Sequence, residues 1–149
     1  MIHSLYQFHK QVFYCIYLRY RKRDPRRYTS QPGFFETANV LVGMTFLSML
    51  NLFSISAVLD IFFGFDFAFT YLGSNLLSTT VSAAAVYGAN YFLVSRVGAQ
   101  NIIEEFESGH SILNKKLVNF YLVASVILCV SLVILDKNLK DGLSFPDFR

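Results

Sequence analysis

Residues 38–95 read ANVLVGMTFLSMLNLFSISAVLDIFFGFDFAFTYLGSNLLSTTVSAAAVYGANYFLVS, and their only charged side chains are Asp60 and Asp66. A single membrane-spanning helix needs about 20 mainly apolar residues. The stretch is therefore long enough for two spans, which we predict over residues 38–61 and 70–95 with a tight turn between them. Lipid is predicted to be the main solvent of this chain.

A third run, residues 117–135, carries no charge and is also long enough to cross a bilayer. Of the 149 residues, 54% are hydrophobic and only 15% are charged. This composition would aggregate in water but suits a bilayer. The prediction is an all-α integral membrane protein with three transmembrane helices. The transmembrane domain covers residues 34–136, and a short tail follows over residues 137–149.

The distribution of basic residues predicts the orientation in the membrane. Seven of the 13 Lys and Arg residues precede the first span, whereas the turn predicted over residues 62–73 has none. Basic flanks stay on the cytoplasmic side during insertion. The N-terminus and the connection over residues 97–116 are therefore predicted to be cytoplasmic, in a bacterial inner membrane. The first turn and the C-terminal tail are predicted to lie outside.

Residues 1–33 are predicted to be a cytoplasmic basic region that contains a helix lying on the membrane surface. Within residues 5–20 the apolar side chains recur at the spacing of one helical face, namely Leu5, Phe8, Val12, Ile16 and Tyr20. This helix is too short to cross the membrane and contains His9 and Lys10, as is typical of an interfacial amphipathic helix. The three histidines of the chain are expected at the surface.

The connection over residues 97–116 predicts a second short helix. Ile102, Phe106 and Leu113 are spaced for one face of it, and Gly109 is expected to end or bend it. On the predicted topology this helix lies on the cytoplasmic side, together with the basic residues near the N-terminus. Its acidic residues are Glu104, Glu105 and Glu107.

Polar side chains are frequent in the first two predicted spans and sparse in the third. Such groups are costly in hydrocarbon, so the first two spans are predicted to be interior and the third to face lipid. One helical face of the second span carries the candidate pore-lining residues Asn75, Ser78, Thr79, Ser82, Val86, Ala89 and Leu93. Plain helix packing is the simpler explanation of this pattern, and both interpretations stay open.

A pore interpretation requires several copies of the chain, because three helices cannot enclose a channel. On the predicted topology the outer half of this face is polar and the cytoplasmic half is apolar. A ring of such helices would form a wettable vestibule above a hydrophobic constriction, which can gate by dewetting. The predicted partner is therefore a second copy of the chain, in a homo-oligomer such as a tetramer.

The densest charge in the chain lies in residues 19–28, RYRKRDPRRY, which we call the basic segment. Its candidate ligand-binding residues are Arg19, Tyr20, Arg21, Lys22, Arg23, Arg26, Arg27 and Tyr28. One interpretation is that the segment fixes the topology and contacts anionic lipid headgroups of the bilayer. The other is a polyanion site for a nucleotide or a single-stranded oligonucleotide. Arginine offers forked donors to phosphates, and tyrosine rings stack on bases.

Each interpretation of the basic segment assigns a role to the acidic residues of the connection, Glu104, Glu105 and Glu107. They either pair with its arginines or are displaced by a bound polyanion. In an oligomer the segment would repeat around the axis and form an electropositive collar at the cytoplasmic mouth.

In its small size, its several spans, its basic cytoplasmic segment and its lack of an enzyme domain, the chain resembles the stand-alone membrane effectors of bacterial antiphage systems. The Hailong membrane effectors are the nearest analogue. The resemblance is architectural, so it transfers no residue roles. It implies a channel regulated by a short DNA oligomer, and a partner protein that is a cytoplasmic sensor or a nucleotide-polymerising synthase.

The favoured function is a homo-oligomeric channel or membrane-permeabilising effector, gated from the cytoplasm and acting in antiviral defence. Two other classes stay open, a non-catalytic accessory subunit of a larger membrane complex and a holin-like lysis protein. We predict no enzyme, because the sequence offers no nucleophile–base–acid constellation, paired carboxylate site or Gly-rich phosphate loop. No Cys/His spacing typical of a metal site is present, and no metal or other cofactor is predicted.

Overall fold

The computed structural model describes residues 2–28, 31–63 and 76–140, and over these ranges the chain is all-helical. Five helices follow one another: α1 (Ile2–Arg23), α2 (Phe34–Phe63), α3 (Leu76–Ser95), α4 (Ala99–Glu107) and α5 (Lys115–Lys140). The spans predicted over residues 38–61 and 117–135 lie within α2 and α5. The described part of the span predicted over residues 70–95 is α3.

Two sequence expectations fall wholly or partly outside the described residues. The turn predicted over residues 62–73 is described only as far as residue 63, where α2 ends. The predicted tail begins at residue 137, but α5 continues to residue 140, so the first part of that tail is helical. Residues 141–149 lie outside the described ranges.

Proline and glycine set several of the helix ends. α1 ends at Arg23, two residues before Pro25, because a residue that precedes proline disfavours helical dihedrals. α2 begins two residues after Pro32. The helix predicted in the connection is confirmed as α4, and beyond its end Gly109 adopts a positive φ of 77°. Glycine takes this left-handed conformation without a steric penalty, so the chain turns there towards α5.

α2 is the central helix, and it packs against α1, α3 and α5. Its 30 residues give it a length of about 45 Å, longer than the roughly 30 Å hydrocarbon core of a bilayer. α3 packs mainly along α2, and among its residues 77–95 only Asn90 and Val94 are buried. The expectation of an interior helix therefore fits α2, whereas α3 lies at the edge of the single chain.

The hydrophobic core lies at one end of the long helices. There, residues 12–17 of α1 pack with α4, the first half of α2, the last turn of α3 and the start of α5. Phe13 and Tyr17 of α1 have no exposed surface. The predicted apolar stripe also contacts protein, since Val12 and Ile16 are buried, whereas Leu5 is 63% exposed. α1 is therefore covered by the rest of the chain on more than one face.

Two of the five helices are long and apolar enough to cross a membrane. They are α2 and residues 115–135 of α5, with mean hydropathies of 1.9 and 2.5. Only 33% of the apolar window of α2 and 17% of that of α5 are buried inside the chain, whereas a core helix of a soluble protein is mostly buried. The exposed side chains of these helices are large and apolar, and include Phe46, Ile55, Phe62, Phe120, Ile127 and Ile134.

Polar side chains connect the long helices to one another. Asn90 of α3 donates from Nδ2 to the hydroxyls of Thr45 and Ser48 of α2, each at 3.4 Å. Asn51 of α2 donates to the hydroxyl of Tyr121 of α5 at 2.6 Å. The prediction that polar groups of the spans face protein is confirmed for these residues. Hydrogen bonds of this kind hold apolar helices in register.

Gly43 of α2 lies close to α1. A Cβ at this position would lie 3.3 Å from Cγ2 of Ile16. We expect Gly43→Val to force α1 away from α2 and to lower the free energy of unfolding by about 1–3 kcal/mol, the usual cost of overpacking. Thermal unfolding of the purified protein in detergent measures this change.

Gly88→Val is the matched control for this substitution. Gly88 lies in α3, and a Cβ there would meet no atom within 4 Å. It therefore introduces the same β-branched residue without the clash. Equal unfolding temperatures for the two variants would contradict a close contact between α1 and α2.

Candidate polyanion interface

The basic segment comprises the last turn of α1 and the turn that follows it. After Pro25 the chain turns back, and Asp24 organises this turn. The Tyr28 N–H donates to the Asp24 carbonyl at 3.1 Å, and the Arg27 N–H donates to Oδ1 of Asp24 at 3.3 Å. The arginines on either side of Pro25 are thereby held at one end of the bundle.

The tyrosines of this region stack on one another. The rings of Tyr20 and Tyr28 are stacked with centroids 5.3 Å apart, and Tyr17 meets Tyr28 edge-on at 6.0 Å. Tyr28 is only 4% exposed, and its hydroxyl accepts a hydrogen bond of 3.0 Å from Asn39 of α2. Tyr28 therefore offers no free face to a base, whereas Tyr20 keeps partial exposure.

Some cations of the basic segment are neutralised within the chain. Arg21 pairs with Glu107 of α4, so the expected pairing with the acidic residues of the connection is confirmed there. Arg27 pairs with Glu36, in the first turn of α2, with Nε 2.9 Å from Oε1. Salt bridges this exposed contribute little to stability but fix the direction of the side chains.

Other cations of the segment are not neutralised. Arg19 donates to the neutral side chain of Asn119 in α5 at 2.9 Å. Lys22, Arg23 and Arg26 are exposed and have no ion-pair partner among the described residues. The structure thus brings four uncompensated cations together at the end of the bundle where α2 and α5 begin.

An ion pair between a buried lysine and a half-buried glutamate joins α1 to α4. Lys10 is only 6% exposed, and its Nζ lies 2.6 Å from Oε2 of Glu105. Burial disfavours the charged carboxylate, but the hydrogen bonds that Lys10 and Ser111 donate outweigh it and lower the pKa of Glu105. Next to this pair the rings of Tyr14 and Phe106 stack with centroids 4.9 Å apart.

The role of Lys10 was missed because the sequence pattern placed it on the solvated side of an interfacial helix. A second periodicity was present. Lys10, Tyr14, Tyr17 and Arg21 recur at intervals of three or four residues, and this face of α1 carries the groups that meet α4. A helix that has packing residues on two of its faces is covered by protein rather than lying on lipid.

Loss of Lys10 leaves the half-buried Glu105 carboxylate without its ion-pair partner. We expect Lys10→Met to destabilise the fold by about 1–3 kcal/mol, because Glu105 loses its ion pair. The double variant Lys10→Met with Glu105→Leu removes both charges and should recover most of this loss. A double-mutant cycle on unfolding free energies measures the coupling, and additive effects would contradict it.

His9 lies next to a small cavity rather than at the surface as expected. The cavity has a volume of about 240 Å³ and is lined by Met44, Ser48 and Tyr121 among others. Nε2 of His9 is buried and has no hydrogen-bond partner in the described structure. Burial lowers the pKa of His9, because the protonated ring would lose its hydration.

The lowered pKa of His9 makes the fold sensitive to acid. The unfolded chain takes up a proton on His9 near pH 6.5, whereas the folded chain takes it up only at lower pH. Stability is therefore complete above pH 6.5 and is lost as the pH falls through the lower folded-state pKa. We expect the unfolding temperature to drop between pH 7 and pH 5.

His9→Leu should abolish this drop, because leucine does not titrate. His110→Gln is the matched control, since His110 lies in the exposed turn after α4. An unchanged pH dependence in His9→Leu, or its loss in His110→Gln, would contradict the assignment to His9.

The candidate pore-lining residues do not surround an opening within one chain. Ser78, Thr79, Ser82, Val86 and Leu93 are half-buried and Ala89 is exposed, whereas Asn75 lies outside the described residues. Thr79 also lines an apolar groove between α3 and α2. Asn90, which was not among the predicted residues, is the buried polar group of α3 that bonds to α2.

Among the described residues no cluster of three or more His, Cys, Asp or Glu side chains is placed to hold a metal ion. The two cysteines, Cys15 and Cys129, are free and buried. No protein-family model matches the chain, and no significant match was found among curated proteins or solved structures.

Proposed function

We propose that this chain is an integral membrane protein that forms a homo-oligomeric channel, or a permeabilising effector, controlled by a polyanion at the basic segment. In this proposal α2, α3 and α5 cross a bacterial inner membrane with α1 on the cytoplasmic side. A nucleotide or a single-stranded oligonucleotide is the ligand. A role in antiviral defence, with a cytoplasmic sensor or synthase as partner, rests on the architectural resemblance alone.

The membrane part of the proposal is supported by exposed apolar surface. Only 33% of the apolar window of α2 and 17% of that of α5 are buried within the chain, and α3 exposes Leu77, Val81 and Phe92. Large exposed apolar patches mark sites of contact with a membrane or with another protein. The 20 residues of α3 give a length of about 30 Å, which matches the hydrocarbon core.

One observation supports the gating part of the proposal, namely the bonds between the basic segment and the first two turns of α2 and α5. Arg27 and Tyr28 bond to residues of α2, and Arg19 bonds to Asn119 of α5. The same segment holds uncompensated cations to which phosphates would bind. A polyanion that repositions the segment would therefore act directly on the cytoplasmic ends of α2 and α5.

A second class, an accessory subunit of a larger membrane complex, is favoured by the one-sided packing of α3. Residues 81, 84, 85, 88 and 89 of this helix are exposed, and they are mostly small. Small residues allow close helix–helix approach in a membrane. Another copy of the chain and a different membrane protein would both fit there, and the oligomeric state of the purified chain separates the two.

Conductance of the purified protein in planar bilayers tests the proposal. We expect discrete currents that change when short single-stranded DNA is added on the side of the basic segment. Lys22→Gln with Arg26→Gln should weaken this response, because two phosphate contacts are lost. The slope of log affinity against log salt should then become shallower by about 1.4, at about 0.7 for each contact with a single strand.

Lys115→Gln with Lys116→Gln is the matched control, because it removes two exposed cations from the start of α5. Inserted protein that gives no current would exclude the channel and leave the accessory-subunit class. Currents that do not respond to DNA would exclude DNA as the ligand. If the response to DNA weakens equally in both double variants, the binding site is not the basic segment. DNA-independent toxicity on expression would favour a holin-like protein.

A further inference from the structure

A groove with a volume of about 630 Å³ lies between α2 and α5, next to the last turns of α1. This volume falls in the range of roughly 300–1,000 Å³ that is typical of sites for small molecules. One wall is formed by Phe46 and Leu50 of α2, and the other by Val126 and Ile127 of α5. The groove is therefore apolar along the two helices that are long and apolar enough to span a membrane.

The end of the groove next to α1 is basic. Ile16, Arg19, Tyr20 and Arg23 line it, and their spacing of three and four residues places them on one face of α1. Arg19 has no ion-pair partner among the residues that the structure describes, and its hydrogen-bond partner Asn119 is neutral. Arg23 has no ion-pair partner in the described part of the chain. Two guanidinium groups that have no ion-pair partner among the described residues therefore line the basic end of an apolar groove.

We propose that this groove binds one molecule of an anionic phospholipid, with the headgroup phosphate between Arg19 and Arg23 and an acyl chain along the walls of α2 and α5. Guanidinium groups present paired N–H donors that match the oxygens of a phosphate. Basic pockets between membrane helices at the headgroup level are known to bind anionic lipid headgroups. Cations at one end and apolar walls beyond them match the two parts of such a lipid.

The apolar walls decide between a lipid and a water-soluble anion. An oligonucleotide or free phosphate would use the arginines alone and would make no contact with the apolar walls of α2 and α5. A phospholipid satisfies both parts of the groove at once, and it is present wherever these helices are inserted in a membrane. The site differs from a diffuse attraction between basic residues and the bilayer because it holds a single molecule. It does not depend on the proposed channel.

Lipid binding by the purified full-length chain in detergent tests this proposal. Native mass spectrometry counts the phosphatidylglycerol molecules retained for each chain, with phosphatidylcholine as the neutral comparison. We expect one phosphatidylglycerol with a clear preference over phosphatidylcholine. Arg19→Gln with Arg23→Gln should weaken its binding by roughly 25-fold, about fivefold for each basic residue near an anionic headgroup.

Two further variants separate the headgroup and chain parts of the site. Val126→Phe fills the groove without changing charge and should also weaken binding of phosphatidylglycerol by about tenfold, because the acyl chain loses its place. Lys115→Gln with Lys116→Gln removes two exposed cations from the same end of the bundle, outside the groove. The affinity of this control for phosphatidylglycerol should stay within about twofold of the unmodified chain, because exposed charges outside the groove contribute little.

Three results would overturn the proposal. Equal weakening by the two charge-removing variants would mean that attraction is diffuse. Unchanged binding in Val126→Phe would mean that no chain lies in the groove. Competition by sn-glycerol 3-phosphate at the concentration of the lipid would mean that the site takes a free phosphate. Circular dichroism of each variant establishes that the helices are intact, and DNA binding measured in parallel separates this proposal from the proposed function.

Discussion

The burial of α1 against the ends of the long helices is the interaction on which the remaining structure depends. Phe13 and Tyr17 have no exposed surface, and around them α1 meets α2, α4 and α5. Burial of large aromatic side chains contributes several kcal/mol, more than the exposed ion pairs nearby. The Lys10–Glu105 pair then fixes how α4 lies on α1, because a buried charge without its partner is costly.

This arrangement gives the chain two unlike regions. At the end where α2 and α5 begin, side chains from α1, α2, α4 and α5 form a closely packed core with aromatic stacking and ion pairs. Along the rest of α2 and α5, few residues are fully buried and many large apolar side chains are exposed. The packed region supports the basic segment, whereas the exposed region is left for lipid or for other membrane helices.

Composition and charge patterning were enough to predict the helices but not how they meet. Uncharged runs of about 20 residues specify helix length directly, so α2 and α5 were predicted close to their observed bounds. Gly109 indicated where α4 ends, since few other residues adopt its conformation. These features depend on local chemistry, which a single sequence contains.

Long-range contacts were harder to predict, and the errors concern α1. Its stripe of Leu5, Phe8, Val12, Ile16 and Tyr20 indicates one apolar face, but periodicity cannot tell whether protein or lipid covers it. Tyr28 looked like an exposed ring because arginines flank it, whereas its partners come from α1 and α2. Lys10 and His9 were expected in solvent because they are polar. Their burial depends on residues far away in the sequence.

The contact partners of α1 lie far from it in the sequence, and this distance affects how the chain folds during biosynthesis. Lys10 and Glu105 are 95 positions apart, and Arg19 and Asn119 are 100 apart. α1 leaves the ribosome first, yet the surfaces that bury it exist only once α4 and the start of α5 have been made. The basic segment therefore acquires its arranged form late, and a nascent chain that stalls before α5 displays the arginines without the scaffold that orients them.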